Sequence, residues 1–151
     1  TLITKINQIS AQIHKSTLRG GANFVVVSSE VSAIFDDLDV FVPTSHDLED
    51  YTYNLGMKQI GTVNGRYKVY VDPYACAWDV LIGHKGTSLL DTGYIYAPYL
   101  PLQLTPTIID PDTLTNVKGI ATRYATKMVN NRFYGYVKVD NIQTFDPVEL
   151  R

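Results

Sequence analysis

The dipeptide Asn64-Gly65 constrains this chain more than any other feature of its sequence. Both residues tolerate the positive φ that the two central positions of a type I′ turn require, and strand-like residues flank the pair. On its far side, Arg66-Tyr67-Lys68-Val69-Tyr70-Val71-Asp72 places apolar or aromatic residues at odd positions and mostly polar ones at even positions. That period of two marks a half-buried strand, and Asp72-Pro73 ends it. A β-hairpin is therefore expected here.

The start of the chain carries a different period. Leu2, Ile6, Ile9 and Ile13 recur at spacings of four, three and four, one stripe of an amphipathic helix whose other face holds Lys5, Asn7, Gln8 and Gln12. Arg19-Gly20-Gly21 is expected to stop it, with glycine as the left-handed cap. Phe24-Val25-Val26-Val27 then reads as a short buried strand. Ser28 or Ser29 is placed to cap a second helix, in which Val31, Ile34, Phe35 and Leu38 share a face.

From Asp36 to Asp50 the charge turns acidic, with Asp36, Asp37, Asp39, Asp47, Glu49 and Asp50 around Pro43. This reads as a solvated connection. A calcium loop needs ligands at alternate positions, a central glycine and a closing glutamate, and that order is missing. Further strands are expected at Asp79 to Gly83, Gly93 to Ala97, Leu100 to Thr105, Val117 to Val129 and Arg132 to Val139, with a tight turn at Asn130-Asn131. Helices come early and strands late, so the fold class is α+β.

A chain of 151 residues fits one domain and buries roughly 68–70% of the surface its unfolded form exposes. Hydrophobic residues make up 45% and charged residues 19%, which argues against disorder. A net charge of -2 gives no overall attraction to nucleic acid. Cys76 stands alone, so neither an intramolecular disulfide nor a thiolate metal cluster is possible. No stretch reaches the roughly 18 apolar residues that a membrane span needs, and nothing at the start resembles a signal peptide. The first residue is Thr1 rather than Met, and helix-patterned residues follow at once. A longer parent protein, or processing of one, is the expectation.

No catalytic constellation is expected. His14, His46 and His84 are far apart, and none has a second His or Cys at ligand spacing. No serine stands in a nucleophile elbow, and Cys76 lacks a catalytic signature, so it reads as a buried or tolerated thiol. Gly83-His84-Lys85-Gly86-Thr87-Ser88 fails as a phosphate loop because the lysine precedes the second glycine and no helix follows. Asp36 and Asp37 are adjacent rather than facing, unlike a general acid and base pair. No catalytic residue, cofactor site or metal site is assigned.

Tyrosine does stand out. There are eleven, with Tyr94, Tyr96 and Tyr99 in one stretch and Tyr134 and Tyr136 in another. A rigid apolar ring with a polar tip suits protein interfaces, though alternating tyrosines also decorate ordinary sheet faces.

Four runs carry a resemblance. They are Arg19 to Ser28, the glycine-rich turn entering a strand; Gly61 to Tyr74; His84-Lys85-Gly86 followed by Asp91 to Leu102; and Thr122-Arg123-Tyr124. In order and spacing they resemble the carboxy-terminal half of the major capsid proteins of T-even-type (T4-like) tailed phages, a family with the HK97-like fold. The likeness covers essentially the whole chain and departs at Ala125-Thr126-Lys127, where that family's pattern has glycine. It implies an axial-domain portion over residues 1–115 and strands returning to the peripheral domain over 116–151. The arm, extended loop and spine helix would lie upstream.

The resemblance further implies a structural subunit of an icosahedral head, not an enzyme, located in the virion and assembled in the bacterial cytoplasm. Its partners would be copies of itself in hexameric or pentameric capsomers, with vertex and decoration capsid proteins beside them, but no specific nucleic acid and no membrane. A pentamer-forming vertex paralogue, or a β-rich tail or receptor-binding module, is the alternative. Arg66, Tyr94, Tyr96, Tyr99, Arg123 and Arg132 are the candidate subunit-interface residues. The arginines would bridge to a neighbour's carboxylates, with pairing inside their own chain as the other reading. The acidic stretch Asp36 to Asp50 and the region from Tyr94 to Pro101 are candidate contact or solvent-facing segments.

Overall fold

The structure is a computed structural model that describes residues 1–44 and 56–140. His46 and the Asp47, Glu49 and Asp50 part of the acidic stretch lie outside the described residues. The chain divides into two compact units, residues 1–93 with 132–151 and residues 94–131.

In the first unit, helix α1 (Leu2–Thr17) buries Ile6 and Ile13, while Leu2 and Ile9 pack partly against the same core. The periodic stripe therefore faces inward as expected. Its end differs from expectation. Leu18, not a glycine, takes the left-handed cap at φ 56°, ψ 19°, and its N–H donates to the carbonyl of His14 at 2.8 Å. Gly20, two residues later, also has positive φ, at 139°.

Strand β1 (Phe24–Val27) leads to helix α2 (Ser29–Asp36) through Ser28. The Ser28 hydroxyl accepts from the Val31 N–H at 3.3 Å and donates to the Ala77 carbonyl at 2.7 Å. A fully buried polar group is thus satisfied twice. Val31 and Phe35 are buried, but Ile34 is exposed, since the short helix turns a narrower face to the core than the sequence suggested.

Strands β2 (Phe41–Pro43), β3 (Lys58–Val63), β4 (Tyr67–Val71) and β5 (Asp79–Gly83) follow, and β10 (Tyr134–Lys138) closes the unit. They form one mixed sheet in the order β10-β5-β1-β4-β3-β2. Only the β1–β4 pairing is parallel. Asn64 and Gly65 sit at φ 54° and 62° between β3 and β4, as their residue types predict. Val63 pairs with Tyr67, so Arg66 belongs to the turn rather than to the strand.

One face of this sheet meets the helices. Val25, Val27, Val69, Val80 and Ile82 are fully buried there with Ile6, Val31 and Phe35. Each such side chain contributes roughly 1.5–3 kcal/mol by leaving water. Tyr67 also points into this face, and its hydroxyl donates to Oδ1 of Asn7 on α1 at 2.9 Å.

The second unit is a long two-stranded ribbon. Strand β6 (Tyr94–Leu104) pairs antiparallel with β9 (Ile120–Met128), merging two strands that the sequence reading kept apart. Register shifts near Pro98 and Leu100 mark where the merger is imperfect. A shorter pair, β7 (Ile108–Ile109) and β8 (Asn116–Val117), continues it. Its turn is held by Asp110, whose carboxylate accepts from the Asp112 N–H at 3.1 Å and the Thr113 hydroxyl at 2.9 Å. Strand β9 runs unbroken through Ala125-Thr126-Lys127. Asn131 to Phe133 form a single 3-10 turn, after which β10 pairs with β5 and not with β9. The fold class is α+β, as expected.

Candidate functional site

No cluster of three or more potential metal ligands gathers among the described residues. Nor is any helix there long and apolar enough to cross a membrane. His84 is a structural group. Its Nδ1 donates a 2.6 Å hydrogen bond to the Gly21 carbonyl, and its ring stacks on Phe133 with centroids 5.7 Å apart. A Cβ at Gly20 would stand 2.9 Å from His84 Cε1, so the glycine turn and the imidazole fit closely. Cys76 is exposed rather than buried.

What the molecule offers instead is uncovered surface, and it lies in two places. The first is the ribbon, in which no residue from 94 to 131 is buried. Tyr94, Tyr96 and Tyr99 are 46%, 57% and 84% exposed on β6. Arg123, opposite Leu100 on β9, is exposed as well, so four of the six expected interface residues share this element. Tyr124 is not among those six but shares the ribbon. Its ring lies 5.5 Å from that of Tyr96, a diagonal cross-strand pair that props both rings on one face. Leu102, Leu104, Ile108, Ile109 and Ile120 are also more than half exposed. A two-stranded ribbon is marginal in water by itself, and apolar residues on it call for a covering surface.

The second place is the face of the six-stranded sheet turned away from the helices. Alternation puts Phe24 and Val26 of β1 there, beside Lys68 and Tyr70 of β4. Arg66, exposed in the turn between β3 and β4, helps to line the same groove together with Lys85. Farther across, Tyr136 is 56% exposed and its hydroxyl bonds to the carboxylate of Asp79. That hydrogen bond, with smaller contributions from desolvation and the carboxylate's charge, holds the Tyr136 phenol above its ordinary value near 10.0. Lys138 lies 5.2 Å from the centre of the Trp78 ring. Arg132 is exposed in the 3-10 turn before β10, within this first unit but not within the groove lining.

The structure thus gathers Tyr94, Tyr96, Tyr99 and Arg123 on the ribbon and leaves Arg66 and Arg132 in the other unit. Among the described residues, no ion pair engages Arg66 or Arg123; the ion pair formed is Arg19 with Asp91. Lys68, Lys85 and Tyr70 were missed. Nothing in linear order joins them, because a parallel pairing and the end of a third strand bring them together.

Comparison with known proteins agrees with this surface-dominated structure. Residues 1–148 match the family described as "Major capsid protein Gp23". The major capsid protein of Vibrio phage KVP40 is 33% identical over 132 residues, covering 84% of this chain and 25% of that protein. The major capsid protein of Enterobacteria phage T4 is 32% identical over 127 residues, covering 82% and 24%. That of Serratia phage KSP90 is 33% identical over 91 residues, covering 58% and 21%. The chain spans about a quarter of the length of the first two. By the extent of these matches, the chain belongs to the Gp23 major capsid protein family.

Proposed function

We propose that this chain is the carboxy-terminal part of a structural subunit of an icosahedral phage head, which self-assembles into capsomers enclosing the genome. The observation that carries the reading is the ribbon of residues 94–131, which has no buried residue and shows tyrosine, leucine and isoleucine to solvent. A surface of that kind is completed by another protein surface, and family membership names the kind of assembly. The partners are copies of the same subunit in hexameric or pentameric capsomers, with vertex and decoration proteins around them. Assembly takes place in the host bacterial cytoplasm, and the product is the virion shell.

The HK97-like fold belongs to this proposal. In it residues 1–115 supply the axial-domain portion around the capsomer centre, and residues 116–151 are the strands that return to the peripheral domain. Tyr94, Tyr96, Tyr99 and Arg123 are contact residues on the ribbon, and Arg66 and Arg132 on the sheet unit. Function is then a sum of repeated interfaces, and no step in it is catalytic.

Velocity sedimentation of the full-length protein tests the proposal. Closed particles much larger than any single capsomer, visible by electron microscopy, are the expected result. A species that stays monomeric or trimeric and titrates with a soluble ligand would overturn it in favour of a binding module.

A further inference from the structure

Among the described residues, the groove on the open face of the six-stranded sheet carries positive charge with no carboxylate in its lining. Parallel register sets Phe24 beside Lys68 and Val26 beside Tyr70 as its floor, and Arg66 and Lys85 help to line it. Among the described residues, three cations and no carboxylate line this space. Among the described residues no ion pair engages any of the three. In a chain of net charge -2, that is a local concentration of positive charge over an apolar, aromatic floor.

The matching negative charge sits elsewhere on the same unit. Asp36, Asp37 and Asp39 are exposed at the carboxy-terminal end of α2, where the helix dipole already disfavours carboxylates. No basic residue in the last turn relieves them. Helix α2 packs Val31 and Phe35 into the core with Val25, Val27 and Val69, whereas Phe24, Val26, Lys68 and Tyr70 alternate to the other side of the sheet. The acidic end therefore comes off the helix layer, and the cationic groove opens on the opposite layer.

We infer that the groove receives the Asp36 to Asp39 segment of a second copy of this chain. The inference rests on the reading of the chain as a shell subunit. One face of each copy meets a different face of the next, a contact that closes into a ring when the rotation allows. The Arg66 guanidinium offers a fork that fits a carboxylate with two hydrogen bonds. Lys68 and Lys85 act as point charges beside it. Nucleic-acid phosphate is the rival anion. Its affinity grows with the number of phosphates neutralised, and three cations in a net-acidic chain are few for that.

Charge exchange in the full-length protein tests the contact, with particle yield read by sedimentation and folding of unassembled subunits checked by circular dichroism. Arg66→Glu with Lys68→Glu, and separately Asp36→Lys with Asp37→Lys, are each expected to lower the yield about tenfold or more. Combining all four restores most of it. If a reversed variant does not fold, the neutral pair Arg66→Gln with Lys68→Gln still lowers the yield, to a smaller extent. Unchanged yield in the folded variants overturns the contact while the wild-type particles keep the shell reading standing. Loss without rescue overturns it too, as does intact assembly with loss of filter-retained DNA, which would make phosphate the groove's ligand. A wild-type protein that forms no particles overturns both readings.

Discussion

Gly135 of β10 lies against Ile9 of α1 so closely that a Cβ at position 135 would overlap the Ile9 Cγ2 methyl. This approach joins the two ends of the described chain: the first helix packs on a strand that returns after the ribbon has been completed. The hydrogen-bonded β10–β5 pairing, Tyr134 with Gly83 through Lys138 with Asp79, fixes the strand that the helix covers.

Gly135→Ala should therefore destabilise the six-stranded unit by about 1–3 kcal/mol, the usual cost of forcing a methyl into a packed core. Chemical unfolding of the unassembled protein measures it. A loss below about 0.5 kcal/mol would mean that α1 and β10 are not packed this way.

Leu18 works in the opposite sense. It is 81% exposed and holds a left-handed conformation that costs a branched side chain roughly 1–2 kcal/mol. Leu18→Gly should raise stability by about 1 kcal/mol, since relief of the strain outweighs the added freedom of the unfolded chain. A fall in the thermal midpoint of the unassembled protein would show that the Leu18 side chain has a packing role the exposure does not reveal.

Tyr136 adds a pH dependence whose sign follows from its hydrogen bond to Asp79. The folded state holds the phenol above 10.0, so it favours the protonated form. The contribution to stability is fully present below the unfolded value and is lost as pH rises through the folded one. Tyr136→Phe should show a shallower loss of stability than wild type above pH 10.0, with parallel profiles at neutral pH. Identical alkaline slopes would contradict the Asp79 contact.

Local features were legible in the sequence because local chemistry decides them. Asn64-Gly65 set its own positive φ values, Ser28 capped α2, and the run Phe24 to Val27 became the buried central strand. What escaped was pairing at a distance. A period of two says that Tyr134 to Lys138 is a strand but not that β5, over fifty residues earlier, is its neighbour. The left-handed cap escaped as well, because glycine two residues later is the stronger signal and Leu18 took the conformation anyway. The ribbon tyrosines were visible as a composition, yet no local signal says that their strand pairs with one some thirty residues later and leaves them exposed. The cationic groove needed residues 66, 68 and 85 to converge, which no spacing in the chain announces.

Electron cryomicroscopy of the purified native particle tests the central claim most directly. The account predicts a shell tiled by this six-stranded unit, with the 94–131 ribbon covered on at least one face by a protein surface. A shell built from a different fold, or a ribbon with both faces left in solvent, would contradict it.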